Sequence, residues 1–268
     1  MPRGLSKRPL TASALSFALL ALCLGLFLPA PARSRDPLAA ARQAYAKAAT
    51  PAERQSAALS LGVLLLRRAT TQTDPVPAEL TEAETLFHEA VAAGGSGADQ
   101  GEAGLLAALL ARGPDHDSQV SSEIDRLRES SRNADLVLCI AMNDLLPASS
   151  SWKANLPASD KLNDRIHALF PAAPYLVSSR ISKPEKLSTP NPTYAEEDRK
   201  NRLRGTVVVQ SLIDRDGHLA DLLVLQRAPG GLTDSAVSNL RRWTFHPALL
   251  NGSPVPVCYW LTTTFDVH

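Results

Sequence analysis

Gly205-Thr-Val-Val-Val-Gln-Ser-Leu-Ile-Asp214, followed by Arg215-Asp216-Gly217 and then His218 to Gln226, reads as a β-hairpin. Val207, Val209 and Ile213 fall on one side of the first half, the two-residue period of a half-buried strand. Asp214-Arg215-Asp216-Gly217 is a turn in which Gly217 supplies the positive φ such a loop requires. The second strand is rich in Leu and Val, and Pro229-Gly230-Gly231 ends it. Thr233 is then expected to cap a helix with Leu232, Ala236, Val237, Leu240 and Trp243 on one face. After Thr244-Phe245-His246-Pro247 and the Asn251-Gly252 turn comes a long third strand. Val255, Val257, Tyr259, Leu261, Thr263, Phe265 and Val267 alternate with Cys258, Thr262, Thr264 and Asp266 along it, so one face is expected on a core. The last part of the chain is therefore a ββαβ unit.

Upstream the period is that of helices. Asp36 caps a helix starting at Pro37, and Thr50-Pro51-Ala52-Glu53 is a capping box with Pro at the first helical position. Leu59, Val63 and Leu66 follow on one face. Leu80, Ala83, Leu86, Phe87 and Val91 repeat the pattern before Gly94-Gly95-Ser96-Gly97 breaks it. Gly101 to Arg112 ends at Gly113-Pro114. Val120, Ile124 and Leu127 mark a further helix, and Leu136 to Leu146 another, capped by Asn133. The spacing implies stacked helical hairpins or a plain bundle. Leu80 to Ala93 loosely resembles a tetratricopeptide-repeat helix, without a strict repeat. From Ala148 the character changes to Ser149-Ser150-Ser151 and prolines at 157, 171, 174, 184 and 190. The expected class is α+β: an all-α helical-hairpin domain over 33–147, a Pro/Ser-rich connector over 148–189 with one short helix near Lys161 to Leu169, and the ββαβ domain over 190–268.

The N-terminus bears on the compartment. Arg3, Lys7 and Arg8 precede an uncharged stretch from Pro9 to Ala32 that ends Ala30-Pro31-Ala32, the layout of a signal peptide cleaved after Ala32. The rival is an uncleaved anchor, since Leu10 to Leu28 is long enough to span a bilayer. Either way the remainder is expected to be exported, to the periplasm or facing it from the inner membrane. There Cys139 and Cys258 can form a disulfide; as they lie in different expected domains, two separate buried thiols are the favoured reading.

The chain has 268 residues, with 28 Lys plus Arg against 27 Asp plus Glu. Such balance supplies no basic face for nucleic acid. No nucleophile elbow, paired catalytic carboxylates, metal-ligand cluster or phosphate loop is present in the sequence, so neither catalysis nor a cofactor or metal is expected. Asp214 and Asp216 are turn formers, and His116 between Asp115 and Asp117 is polar surface.

Pro192-Thr-Tyr194, the short charged helix to Leu203 and Gly205-Thr-Val-Val-Val together resemble the start of a TonB C-terminal domain. Leu240-Arg-Arg-Trp-Thr-Phe-His-Pro247 and Asn251-Gly-x-Pro-Val-Pro-Val257 continue that family's pattern in order. Gly205, Gly217, Trp243, Phe245, Pro247, Gly252, Pro254 and Pro256 are its structural positions. The resemblance implies an envelope protein that grips extended peptides, such as the TonB box of outer-membrane receptors, on the edge of its third strand. Carried over, the peptide-binding candidates are Asn191, Pro192 and Tyr194, with Val257, Cys258, Tyr259, Trp260, Leu261, Thr262, Thr263 and Thr264. Ala195 stands where the family commonly has Pro after the Tyr. ExbB and ExbD are implied as partners only if the N-terminus is an uncleaved anchor; otherwise the protein is a periplasmic adaptor. A homodimer is left open.

Overall fold

The computed structural model describes residues 36–71, 77–130, 133–146 and 156–266. The signal-peptide or anchor reading of 1–32 and the placing of Val267 with the apolar positions of the third strand lie outside them. Among the described residues no helix is long and apolar enough to cross a membrane.

Six helices open the described chain: α1 (Pro37–Lys47), α2 (Pro51–Thr71), α3 (Pro77–Ala92), α4 (Ala98–Ala111), α5 (Asp117–Ser130) and α6 (Ala134–Cys139). Their starts follow the local chemistry. The Asp36 carboxylate accepts the Leu38 N–H at 3.0 Å. At α2 the Glu53 N–H donates to Thr50 Oγ1 at 3.2 Å, and the Thr50 N–H returns to Glu53 Oε2 at 3.1 Å. These bonds satisfy amides that a helix start otherwise leaves orphaned.

The helices close on Phe87, which is fully buried. Gly62 of α2 and Gly104 of α4 lie against its ring, where a Cβ at either position would come within 2.7 and 2.4 Å of ring carbons. Missing side chains at two points thus let three helix backbones share one aromatic ring. Val120, Ile124 and Leu127 of α5 complete the same apolar cluster. After Cys139 the helix widens into a π-turn, Ile140–Leu145.

The stretch expected to be a connector with one short helix holds more. Helix α7 (Leu156–Leu169) buries Leu162 and Ile166 in the helical cluster. Two strands follow, β1 (Tyr175–Leu176) and β2 (Glu185–Ser188). Helix α8 (Glu196–Lys200) then leads into β3 (Gly205–Ile213), β4 (Leu219–Gln226) and helix α9 (Leu232–Leu240). The short strands β5 (Thr244–His246), β6 (Ala248–Leu250) and β7 (Ser253–Val255) precede β8 (Val257–Phe265). The architecture is α+β.

The main sheet runs β1-β8-β3-β4. β3 is antiparallel to both neighbours, with Val209 facing Val224 on one side and Leu261 on the other. The long third strand expected after the Asn251-Gly252 turn is two pieces, because β7 pairs back on β6 across that turn and only β8 joins β3. Both turn residues have positive φ, 52° and 83°. Gly217 has φ 79°, and a Cβ there would lie 1.8 Å from the Phe245 carbonyl oxygen, so two constraints demand glycine at that point.

Both faces of the sheet are covered. One carries Val207, Val209, Ile213, Val257, Leu261 and Phe265 against α9, Trp243 and Phe245. On the other, Cys258, Leu223 and Leu225 pack into the helical cluster, and α6 lies against β3 and β4. The alternating pattern of β8 implies a single buried face, which holds where Trp260, Thr262 and Thr264 are exposed; at Cys258 the second face is also buried, because the helical layer stands on it. Gln210 on that face is fully buried, and Asn143 of the π-turn donates to its Oε1 at 3.3 Å.

The cysteines are bonded to each other, correcting the reading of two separate thiols: Cys139 and Cys258 form a disulfide with Cα atoms 5.5 Å apart. The layered packing that brings α6 onto β8 is a property of the tertiary fold, which explains why spacing alone did not reveal it. A second correction concerns Thr233, which does not stand at the N-cap. Gly231 does, while Thr233 Oγ1 reaches back to accept the Ala228 N–H at 2.9 Å and donate to the Ala228 carbonyl at 3.0 Å.

Candidate docking edge

Backbone direction sorts the residues of β8. The Tyr175 N–H donates to the Pro256 carbonyl at 2.9 Å, so that carbonyl faces away from β3. Groups alternate along a strand, N–H and C=O of each residue pointing to the same side. Thr262 and Thr264 therefore turn their backbone groups to the outer edge, and Tyr259, Leu261 and Thr263 turn theirs to β3. Consistently, the Tyr259 carbonyl accepts from Ser211 Oγ on the β3 side at 2.5 Å.

Side chains add a second division. Val257, Cys258, Leu261 and Thr263 are buried, Tyr259 is half-buried, and Trp260, Thr262 and Thr264 are exposed. Trp260 is one of three large apolar side chains with substantial exposure among the described residues, at 40%. A cleft of about 260 Å³ lies beside it, lined by Asn143, Val177, Cys258, Tyr259 and Trp260. Across the ladder, the hydroxyls of Thr206 on β3 and Thr264 on β8 lie 3.3 Å apart.

The resemblance implies a docking edge over Val257 to Thr264. At the start of that stretch, however, β1 pairs with β8 in parallel, Tyr175 opposite Val257 and Leu176 opposite Cys258. Those two positions are closed to any other strand, and the Cys258 sulfur is committed to Cys139. Beyond Cys258 no described strand pairs with the outer edge.

The lead-in segment is brought to the far end of β8. Tyr194 meets Phe265 edge-to-face with ring centroids 5.5 Å apart, and its hydroxyl is buried without a hydrogen-bond partner among the described residues. Helix α9 fixes the backbone just before it. Asn239 Nδ2 and Trp243 Nε1 both donate to the Pro190 carbonyl, at 2.7 and 3.3 Å, and Ser235 donates to the Thr193 carbonyl. Asn191 is exposed and Pro192 half-buried. Trp243 is thus core, with a cation from Lys186 4.7 Å above its ring.

Several residues that shape the edge escaped the sequence reading. Asn163 and Tyr175 act on β1, and Asn143 and Gln210 join the helical layer to β3. Asp198 accepts the Gly231 N–H at the start of α9, where a helix N-terminus favours a carboxylate. The signal available for β1 was the apolar triplet Tyr175-Leu176-Val177 between Pro174 and Ser178, too short to show a period. No group of His, Cys, Asp and Glu able to hold a metal occurs among the described residues.

Residues 190–267 match the family profile of the Gram-negative bacterial TonB protein C-terminal. The C-terminal part of the chain belongs to the TonB C-terminal family. Among solved structures, the solution NMR structure of the Pseudomonas aeruginosa TonB C-terminal domain is similar at 26% identity. That match covers 34% of this chain and 88% of the other, with a TM-score of 0.26. No curated protein matches the chain at a significant level. The TonB C-terminal domain marks a TonB-like envelope protein, and its family is one of interaction and energy-transducing domains.

Proposed function

We propose that this TonB C-terminal domain binds extended peptide segments of envelope proteins, such as the TonB box of outer-membrane receptors, by β-augmentation on β8. The observation that carries the reading is the outer edge beyond Cys258, where Thr262 and Thr264 direct backbone N–H and C=O groups outward and no described strand meets them. Trp260 and the cleft beside it supply apolar contact for a side chain of the docked strand, and Asn191, Pro192 and Tyr194 flank the other end. Peptide contact at Val257 and Cys258 is not part of the proposal, since β1 holds those positions. The test is a titration of a TonB-box peptide into the isotope-labelled chain. Backbone shifts at Thr262 and Thr264 are expected, and their absence at millimolar peptide sinks the edge.

Two roles follow from that binding. A chain retained in the inner membrane by its N-terminus would transduce energy with ExbB and ExbD. A chain cut after Ala32 would be a periplasmic adaptor whose helical layer is a protein-interaction scaffold. The adaptor is favoured by the helical layer itself, which is folded against the sheet and bonded to β8 through Cys139, in place of an extended spacer. Mass measurement of the mature protein separates them: a chain starting at Arg33 leaves the adaptor, and an intact Met1 in the inner membrane leaves the transducer.

A further inference from the structure

β1 is two residues long, yet it is held from every side. Toward β8, the Tyr175 N–H reaches the Pro256 carbonyl at 2.9 Å. Away from β8, the Asn163 carboxamide accepts the Leu176 N–H at 2.8 Å and donates to the Leu176 carbonyl at 3.0 Å. Asn163 therefore stands where a next strand would stand and satisfies both backbone groups that strand would use. It is 3% exposed, so water does not compete for these bonds. One turn further along α7, the His167 ring stacks on Tyr175, centroids 3.6 Å apart and planes 16° apart. The Leu176 side chain is buried in the helical cluster. Just past β1, the Ser178 N–H turns to the Ile181 carbonyl at 3.1 Å, and the hydroxyls of Ser178 and Ser179 donate to Asp160 of α7. The chain thus leaves the sheet at once.

A two-residue strand has too few ladder bonds to stay in place unaided. Here α7 supplies the stability that length does not, and the disulfide at Cys258 fixes the partner strand at the same register position. We propose that Tyr175–Leu176 is a fixed stop on the docking edge, with Asn163 as the positioning residue that holds it. The inference rests on the reading of β8 as a docking edge. A docked peptide is then confined to the part of β8 beyond Cys258, a strand of about seven residues or roughly 23 Å at 3.3 Å per residue. Its extended segment must end or turn away where Val177 leaves the sheet. Because a one-residue slip exchanges the two faces of a strand, a hard stop at one end also selects which side chains meet Trp260. The partner chemistry that fits is a short extended peptide, not a long continuous strand.

The test compares the full chain with Asn163→Ala and Asn163→Asp, each titrated with a TonB-box peptide while backbone amide shifts are followed. Asn163→Asp keeps the acceptor for the Leu176 N–H and serves if the alanine variant does not fold. In the unsubstituted protein, Thr262 and Thr264 should shift while Tyr175, Leu176, Val257 and Cys258 stay still. In Asn163→Ala the footprint should spread back through Val257 and Cys258, with faster hydrogen exchange at Leu176 before peptide is added; Asn163→Asp should fall between. A footprint that already includes Val257 and Cys258 in the unsubstituted chain overturns the stop alone, as does an unchanged footprint in the folded variants. No shift in any of the three proteins overturns the docking reading and the stop with it.

Discussion

Cys139 and Cys258 are joined across 119 residues of sequence, and the bond fastens the end of α6 to the second residue of β8. A cross-link over so long a loop removes conformational freedom chiefly from the unfolded chain. On the chain-entropy scale that amounts to about 5 kcal/mol. Replacing both cysteines by alanine should therefore lower the midpoint of urea unfolding strongly. Added reductant should bring the unsubstituted protein to the same midpoint. A midpoint unaffected by either change would show that the helical layer holds β8 without the bond.

Phe87 and Gly104 make the tightest packing constraint among the helices. Alanine is the better helix former by about 1 kcal/mol, but its methyl group would enter the Phe87 ring, with a ring carbon 2.4 Å away. Overpacking of this kind costs about 1–3 kcal/mol. Gly104→Ala should be destabilising in thermal unfolding despite its propensity, and Phe87→Leu in the same chain should recover part of the loss. A more stable Gly104→Ala protein would contradict the clasp.

The two backbone directions on β8 are separable by proline, which removes one N–H wherever it is placed. At Thr262 the N–H faces the outer edge, and at Thr263 it faces β3. Edge positions tolerate proline, whereas a ladder position loses its bond. Thr262→Pro should keep the cooperative unfolding transition but weaken TonB-box peptide binding at least about tenfold, the equivalent of one lost hydrogen bond of about 1.4 kcal/mol. Thr263→Pro should damage the fold itself. Equal damage from both would show that the assignment of the edge is wrong.

Asp160 gives the chain a specific acid response. Burial by itself would raise its carboxyl, but hydrogen bonds from Ser178, Ser179 and Arg180 prevail and hold it at about 2, below the ordinary 3.8. A carboxylate with a depressed folded value contributes stability above its unfolded pKa and loses that contribution as pH falls through the folded one. The contribution should fade between about pH 4 and pH 2. Asp160→Asn should cost about 2 kcal/mol at pH 7, the scale of hydrogen bonds to a charged group. Its unfolding midpoint should also fall less steeply than that of the unsubstituted chain across the acid window. Parallel acid curves for the two proteins would remove Asp160 from this role.

Much of the local structure was legible because local chemistry decides it. Asp36 and Thr50 sit at helix starts whose orphan amides need an acceptor, and Gly217 sits where a hairpin needs positive φ. Residues Leu240 to Pro247 and Gly252 to Val257 carried the family. What was hidden depends on contacts between distant segments. Gln210 looks like a solvent-facing residue of a one-faced strand and is fully buried, because Asn143 meets it from another layer. Tyr175 and Leu176 are too few to show a strand period, and their strand exists because Asn163 and Pro256 hold it. Cys139 and Cys258 form an evident pair in the sequence, but their proximity depends on the helical layer packing on the sheet. The candidate site was therefore found by family pattern, while its limits were set by packing.

The shared cluster that contains Phe87, Leu106, Leu176 and Cys258 carries a consequence for biogenesis. A ribosome delivers the helices before β8, so the helical layer cannot complete this shared interior until that strand arrives. During that interval Cys139 at the end of α6 lacks its partner on β8, a state prone to misassembly. A nascent chain halted before Val257 would leave that thiol unpaired permanently. Quality control would then read the completeness of the C-terminal domain from the condition of the helical one.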